Sequence, residues 1–179
     1  MLNYQRKSHC STLTLTVVCL ITLSLIGCGY HFSGTGGQAP GDIKSIAIDV
    51  LQNNTAEIGL ENVFTNAIIN EFVQWKKLPI KPAKQAEGVL GGSIAGINFQ
   101  AVSHVDSEKT LTTRMTITLK LALKQAETNE ILWKKNYSYY EEYVETGNPL
   151  DTALLRRRAA NQIAKYLAEK IYIDMFEEF

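Results

Sequence analysis

The stretch Leu111-Thr112-Thr113-Arg114-Met115-Thr116-Ile117-Thr118-Leu119-Lys120-Leu121-Ala122-Leu123-Lys124 alternates without a break. Leu111, Thr113, Met115, Ile117, Leu119, Leu121 and Leu123 fall on one side of an extended chain. Thr112, Arg114, Thr116, Thr118, Lys120, Ala122 and Lys124 fall on the other. A period of two this strict predicts a strand with one buried and one polar face, as in an antiparallel sheet covered on one side only. Glu127-Thr128-Asn129-Glu130 then turns the chain, and Ile131, Trp133, Tyr137, Tyr139 and Tyr143 supply a return strand. Residues 111–143 are therefore expected to form an antiparallel hairpin with long arms.

Upstream, Gly88 to Val105 carries Val89, Leu90, Ile94, Ile97, Phe99 and Val102, an apolar series with irregular spacing interrupted by Gly91, Gly92 and Gly96. It predicts a third strand with bulges or a close approach of backbone at the glycines. Ile43 to Leu51 is expected to be the first strand, with Ile46, Ile48 and Val50 on one face. Gln52-Asn53-Asn54-Thr55 breaks it, and Asn54 or Thr55 is a candidate cap for the helix that follows. Leu60, Val63, Phe64, Ala67, Ile68, Phe72 and Trp75 recur at helical spacing over about 18 residues. Lys76 and Lys77 close that helix, and Pro79 and Pro82 stop it.

Gly147-Asn148-Pro149 opens a last helix of about 27 residues, with Asn148 as cap and Pro149 in the first turn. Its apolar stripe is Leu150, Leu154, Ile163, Ala164, Leu167, Ile171 and Met175. The order is strand, helix, three strands, helix. The fold class this predicts is α+β: two layers, a four-stranded mixed sheet with both helices packed on one face.

The N-terminal region has another character. Arg6 and Lys7 precede an apolar run from Leu13 to Ile26, no acidic residue occurs before Asp42, and Leu25-Ile26-Gly27-Cys28 closes the run. A basic start, an apolar middle and a small residue before the processing point make a secretory signal. The ending is that of a bacterial lipobox, which cleaves before Cys28 and acylates it. Residues 1–27 are expected to be a signal peptide, 28–42 a lipidated, Gly-rich tether, and 43–179 one domain. Cys10 and Cys19 leave with the signal, so the only remaining cysteine is the acylated one and no intramolecular disulfide is expected. Gly29, where enteric sorting would read an aspartate as retention in the inner membrane, points to the outer membrane.

Composition excludes several functions. After loss of Arg6 and Lys7 the chain holds 16 basic and 18 acidic residues, which gives no field for nucleic acid. Only His31 and His104 remain as histidines, too few for a metal centre or a His-dependent catalytic arrangement, so neither an enzyme nor a cofactor is expected. Glu141, Glu142 and Glu145 are a minor candidate for a cation, a solvated acidic strand end being the stronger reading. Arg156, Arg157 and Arg158 point about 100° apart on a helix. They are expected to pair in part with the acidic strand ends, with a phosphate contact as the sharper alternative. Tyr137, Tyr139, Tyr140 and Tyr143 read as packing rather than a ligand cage.

Taken in order, Cys28-Gly29-Tyr30-His31-Phe32, Glu87-Gly88-Val89-Leu90-Gly91-Gly92-Ser93-Ile94, Thr113-Arg114-Met115-Thr116-Ile117-Thr118-Leu119, Ile131-Leu132-Trp133 and Arg158-Ala159-Ala160 resemble the LPS-assembly lipoprotein LptE family. Departures from the family's pattern are the short stretch after the expected final helix, where some relatives carry a long polar tail, and the absence of charge in Gly34 to Pro40. The resemblance implies an outer-membrane lipoprotein, facing the periplasm and seated within the lumen of the β-barrel LptD, that assists lipopolysaccharide assembly. Lys109, Arg114 and Lys120 are the candidate contacts to the anionic lipopolysaccharide. The alternative is a lipoprotein carrier or a pilotin-type escort for another outer-membrane complex.

Overall fold

The computed structural model describes residues 37–105 and 110–177. Cys28 and His31 lie outside the described residues, as does Lys109. Strands β1 (Ile46–Ile48), β2 (Gln52–Asn53), β3 (Gly88–Val105), β4 (Thr110–Gln125) and β5 (Ile131–Glu145) form one mixed sheet. Helix α1 spans Leu60–Trp75 and α2 spans Pro149–Glu177. The architecture is the expected α+β one, in the order β-α-β-β-β-α, with β2 as an additional short strand.

The sheet order is β1-β3-β4-β5, with β2 also paired to β3. β1 and β2 run parallel to β3, while β4 is antiparallel to both of its neighbours, β3 and β5. The five strands thus occupy four positions, because β2 resumes the pairing that β1 breaks off. Pairing partners are 42 residues apart in β1 (Ile46 with Gly88) and 41 apart in β2 (Gln52 with Ser93). One residue has been inserted between them, and a slip of one reverses which side chains face inward. Val50, expected on the buried face, is consequently exposed, and Leu51 is buried in its place. The Leu51 amide donates to Thr65 Oγ1 of α1 at 3.1 Å, so the displaced backbone group is satisfied.

β4 behaves as its alternation requires. Thr113, Met115, Ile117, Leu119, Leu121 and Leu123 are buried, whereas Lys120 and Lys124 are exposed and the rest of that face is half-buried. The irregular spacing in β3 has a geometric cause. The pairing with β4 shifts between Ile94 and Gly96 and again between Ala101 and Ser103. Across the first shift the inward side chain moves from Ile94, opposite Leu119, to Ile97, opposite Ile117, a step of three. Gly92 shows why a side chain is absent there: a Cβ would overlap the backbone oxygen of Lys120 on β4.

α1 begins later than its capping residues suggested. Asn53, rather than Asn54 or Thr55, organises the entry. Its Oδ1 accepts from the Thr55 amide at 3.0 Å, and its Nδ2 donates to Glu57 O and to Glu61 Oε2. The helix then starts after Gly59, held in the left-handed region at φ 90°, with no side-chain cap. Leu60, Phe64, Thr65, Ile68 and Phe72 are its buried residues. At the far end Lys76 adopts φ 55° and its amide donates to Phe72 O, closing the last turn.

α2 is capped as expected, with the Leu150 amide donating to Asn148 Oδ1 at 3.0 Å. Its buried stripe runs from Ala159 through Ile163, Leu167 and Ile171 to Met175. Leu150 and Leu154, expected to continue that stripe, are 80% and 50% exposed. The reason is the shorter neighbour. Arg156 meets Glu57 just before α1, and Tyr172 and Phe176 meet Phe72 near its end. The two helices therefore run in the same direction, and the first turns of α2 project past the start of α1. Lys135 on β5 pairs with Asp174 at 3.0 Å and fastens the other end of α2 to the sheet.

Candidate functional site

The helices cover the face of the sheet that carries Leu119, Ile117 and Tyr137, and leave the opposite face bare. In the antiparallel ladders, residues opposite one another share a face. The bare face thus presents Ser93, Asn98 and Gln100 from β3, then Thr112, Arg114, Thr116, Thr118, Lys120 and Lys124 from β4. Lys134, Asn136, Ser138, Tyr140, Glu142 and Val144 continue it on β5. It is a broad surface of hydroxyls, amides and dispersed charges, built by the strict alternation of β4 and copied onto its neighbours by register.

Arg114 is engaged within this surface. Its Nε and NH2 donate to Glu142 Oε1 at 3.1 and 2.7 Å, and the guanidinium carbon lies 4.3 Å from the centroid of the Tyr140 ring. Hydrogen bonding to Glu142 raises the Arg114 pKa above its ordinary value. Lys120, six residues further along β4 toward the β4–β5 turn, has no carboxylate within 4.0 Å among the described residues. The structure therefore separates the two sequence candidates that it describes: one is committed to a neighbour and the other presents its charge outward.

The three glutamates near the end of β5 do not converge. Glu142 is on the bare face with Arg114, while Glu141 and Glu145 alternate to the helix side. Glu145 accepts from Thr113 Oγ1 at 3.0 Å and from Tyr143 OH at 3.3 Å. Burial, and then the Glu145 charge, push the Tyr143 phenol above its usual pKa. Among the described residues no group of three or more His, Cys, Asp and Glu side chains is placed to hold a metal.

Arg156 pairs with Glu57 at 2.9 Å, not with the strand-end acids as expected. That partner sits about a hundred residues away in the loop ahead of α1, and no local pattern points to it. The tyrosines pack as anticipated: Tyr137 and Tyr143 are buried, and Tyr139 stacks on Tyr166 of α2 with ring centroids 3.8 Å apart. What the sequence reading missed on this face is Lys134, which comes beside Lys120 and Lys124 only once β5 is laid against β4.

The domain is thus a two-layer α+β one with a filled apolar core, helices on one face and a long polar face left open. The comparisons name its kind: the family model "LptE: Lipopolysaccharide-assembly" matches residues 43–175, and the chain belongs to that family. The family is one of non-enzymatic assembly lipoproteins. No curated protein matches the chain at a significant level. Among solved structures, a protein from Xanthomonas campestris is 10% identical, with a TM-score of 0.52 over 78% of this chain and 89% of its own. The rare lipoprotein B from Shewanella oneidensis is 11% identical, with a TM-score of 0.49 over 72% and 92%. A minor lipoprotein from Acinetobacter baumannii is 12% identical, with a TM-score of 0.47 over 72% and 91%.

Proposed function

We propose that this protein is a lipid-anchored outer-membrane subunit that plugs the lumen of the LptD β-barrel and assists delivery of lipopolysaccharide, for which it has weak affinity. The observation that carries this reading is the bare face of β3, β4 and β5. Barrel lumens are polar, and this face offers hydroxyls, amides and dispersed charges with few apolar side chains. β4 alone has 16 residues, a reach of about 50 Å. That exceeds the roughly 30 Å hydrocarbon core, so the sheet is long enough to line a barrel from rim to rim. The interior argues against a carrier of acyl chains, since the space between sheet and helices is occupied by Leu90, Ile94, Ile117, Leu119, Ile163 and Ile171, all fully buried. Family membership supports the setting in lipopolysaccharide assembly. Lys109, Arg114 and Lys120 are the proposed lipopolysaccharide contacts.

A photo-cross-linker at Thr116, at the centre of the bare face, tests the plug in intact cells. It is expected to trap a large β-barrel protein. Recovery of small soluble proteins alone would overturn the plug in favour of an escort.

Cys28 is the proposed site of acylation. A single acyl chain holds a protein on a membrane only marginally, and several make the attachment stable. Cys28→Ala is therefore expected to leave the protein uncleaved or to shift it to the soluble periplasmic fraction of cells lacking the barrel. Undiminished recovery with the outer membrane in those cells would remove the lipid anchor from the account.

A further inference from the structure

The strand position beside β3 is filled for only part of its length. β1 and then β2 pair with β3 from Gly88 to Ile94, and the Asn54 amide makes the last bond, to Ile94 O at 3.1 Å. From Gly96 to Val105 β3 is paired with β4 alone, which leaves an open edge of about 33 Å. Burial follows the same division. Leu90 and Ile94 are fully buried, whereas Asn98 to Val102 are exposed in succession, Phe99 at 40%. Behind the edge, on the helix side, is a hollow of about 260 Å³ lined by Ile97, Met115, Leu60, Val63, Ala153 and Arg157 among others. It exists because α1 starts only at Leu60 and leaves Ile97 and Phe99, which face inward opposite Ile117 and Met115, incompletely covered. Ile58, 96% exposed, lies on its rim.

Edges left open in water are normally protected by charge, proline or a cover, because unpaired N–H and C=O groups template the addition of another strand. β5, the other long edge, follows that rule with Lys134, Lys135, Glu141, Glu142 and Glu145. Gly96 to Val105 holds no Asp, Glu, Lys, Arg or Pro. An unprotected edge of this length, backed by apolar side chains and a hollow, is the geometry by which a sheet takes up an extended peptide. The main chain gives affinity, and pockets for alternate side chains give selectivity. The charges beside the hollow say what that peptide carries. Glu57 is taken by Arg156 at 2.9 Å, and Arg157 has no carboxylate within 4.0 Å among the described residues. Neither the β3 edge of a second copy nor the residues ahead of the domain supply one. Gly96 to Val105 holds no acid, and none occurs before Asp42.

We propose that the open edge of β3 from Gly96 to Val102 receives an extended segment of another protein as an added strand, one with apolar side chains on alternate residues and a carboxylate that meets Arg157. The segment continues the strand position that β1 and β2 begin, and its inward side chains fill the hollow. This edge is separate from the bare face, and the proposal does not rest on the function given above.

The test is made in cells on the full-length protein. A photo-reactive phenylalanine is placed at Phe99 and, separately, at Ala101, two exposed positions on the helix side of β3, and the cross-linked peptides are sequenced. Both positions are expected to attach to one segment of one other protein, at residues two apart, because an added strand keeps the period of β3. The same group at Ser138, on β5, is expected not to attach to that segment. Arg157→Glu is expected to lower the yield from Phe99 about threefold or more, given the modest worth of one exposed charge contact and the repulsion that replaces it. Arg158→Glu, outside the hollow, is expected to leave the yield unchanged. Both arginines are exposed, so the circular dichroism of either variant should match the wild type.

Attachment sites three or four residues apart overturn the added strand and put a helix in the hollow. Attachment to a second copy of this chain, or to residues 28–36 of the same one, overturns the occupant. No attachment from either position overturns the site, and a yield indifferent to Arg157→Glu overturns the carboxylate. Trapping of a barrel from Thr116 reports the opposite face of the sheet, so the edge site can fail while the plug stands, and the reverse.

Discussion

Ile117→Lys is expected to unfold the domain, while Thr118→Lys, one residue further on, leaves it nearly as stable as the wild type. Ile117 is 0% exposed on the helix side of β4 and stands opposite Ile97 and Tyr139. An ammonium group there has no carboxylate partner in register, and an unpaired buried charge costs several kcal/mol even after partial relaxation. A single domain has only about 5–15 kcal/mol to lose. Thr118 is on the bare face, its hydroxyl 3.3 Å from Ser138 Oγ and its β3 partner a glycine with open space above it. Lysine at 118 gives up one weak hydrogen bond and projects into that space, at a cost of about 0.5 kcal/mol or less. Urea midpoints of the two variants, made without the first 36 residues, measure the difference. Equal losses would mean that the bare face is covered even in the isolated domain.

That asymmetry is also the part of the fold most legible in the sequence. A period of two sustained from Leu111 to Lys124 has one structural solution, and the structure realises it from Thr113 to Leu123 with each inward side chain buried. Helical periodicity located α1 and α2 for the same reason, since each has one face to bury. The failures occur where local pattern yields to register or to a neighbour's length. Val50 and Leu51 exchange sides because one residue is inserted between β1 and β2, an insertion that is visible only in the pairing with β3. Leu150 and Leu154 satisfy the stripe of α2 but have no α1 beside them to complete the burial.

The candidate site was legible in half. Alternation assigned Arg114 and Lys120 to one face, which the structure shows, but gave no means of ranking them. Glu142 lies 28 residues from Arg114 and meets it only across the β4–β5 ladder. The same ladder sets Lys134 against Ala122, between Lys120 and Lys124. A functional surface made of cross-strand neighbours is written in register, and register here depends on a bulge: the pairing of β4 with β5 shifts between Leu123 and Lys124. Counting back from the Glu127–Glu130 turn without that bulge misplaces every residue of β5 from Trp133 onward by one.

The second large effect is expected at the other end of the helix layer, where α1 and α2 are joined by aromatic side chains. Phe72 is fully buried, and its ring lies edge-on to Tyr172, with centroids 5.1 Å apart and planes at 78°. Phe176 closes the cluster, 6.4 Å from Phe72 and 4.8 Å from Tyr172. Phe72→Ala removes the ring that fills the space between the helix ends and leaves a cavity lined by two aromatics that are fixed on α2. Buried Phe→Ala changes cost about 3–5 kcal/mol, and the broken edge-to-face pairing with Tyr172 adds to the removal of apolar area. Trp75, three residues on, also touches Tyr172, stacked at 5.8 Å, but it is 52% exposed and its Nε1 donates to Glu71 Oε1 within the same helix. Trp75→Ala therefore exposes part of Tyr172 without opening the core, and about 1 kcal/mol is expected. Thermal unfolding of the two variants is the measurement. A loss at Trp75 as large as that at Phe72 would mean that the helix layer is held from its solvent side, and that the cluster of Phe72, Tyr172 and Phe176 is not what joins α1 to α2.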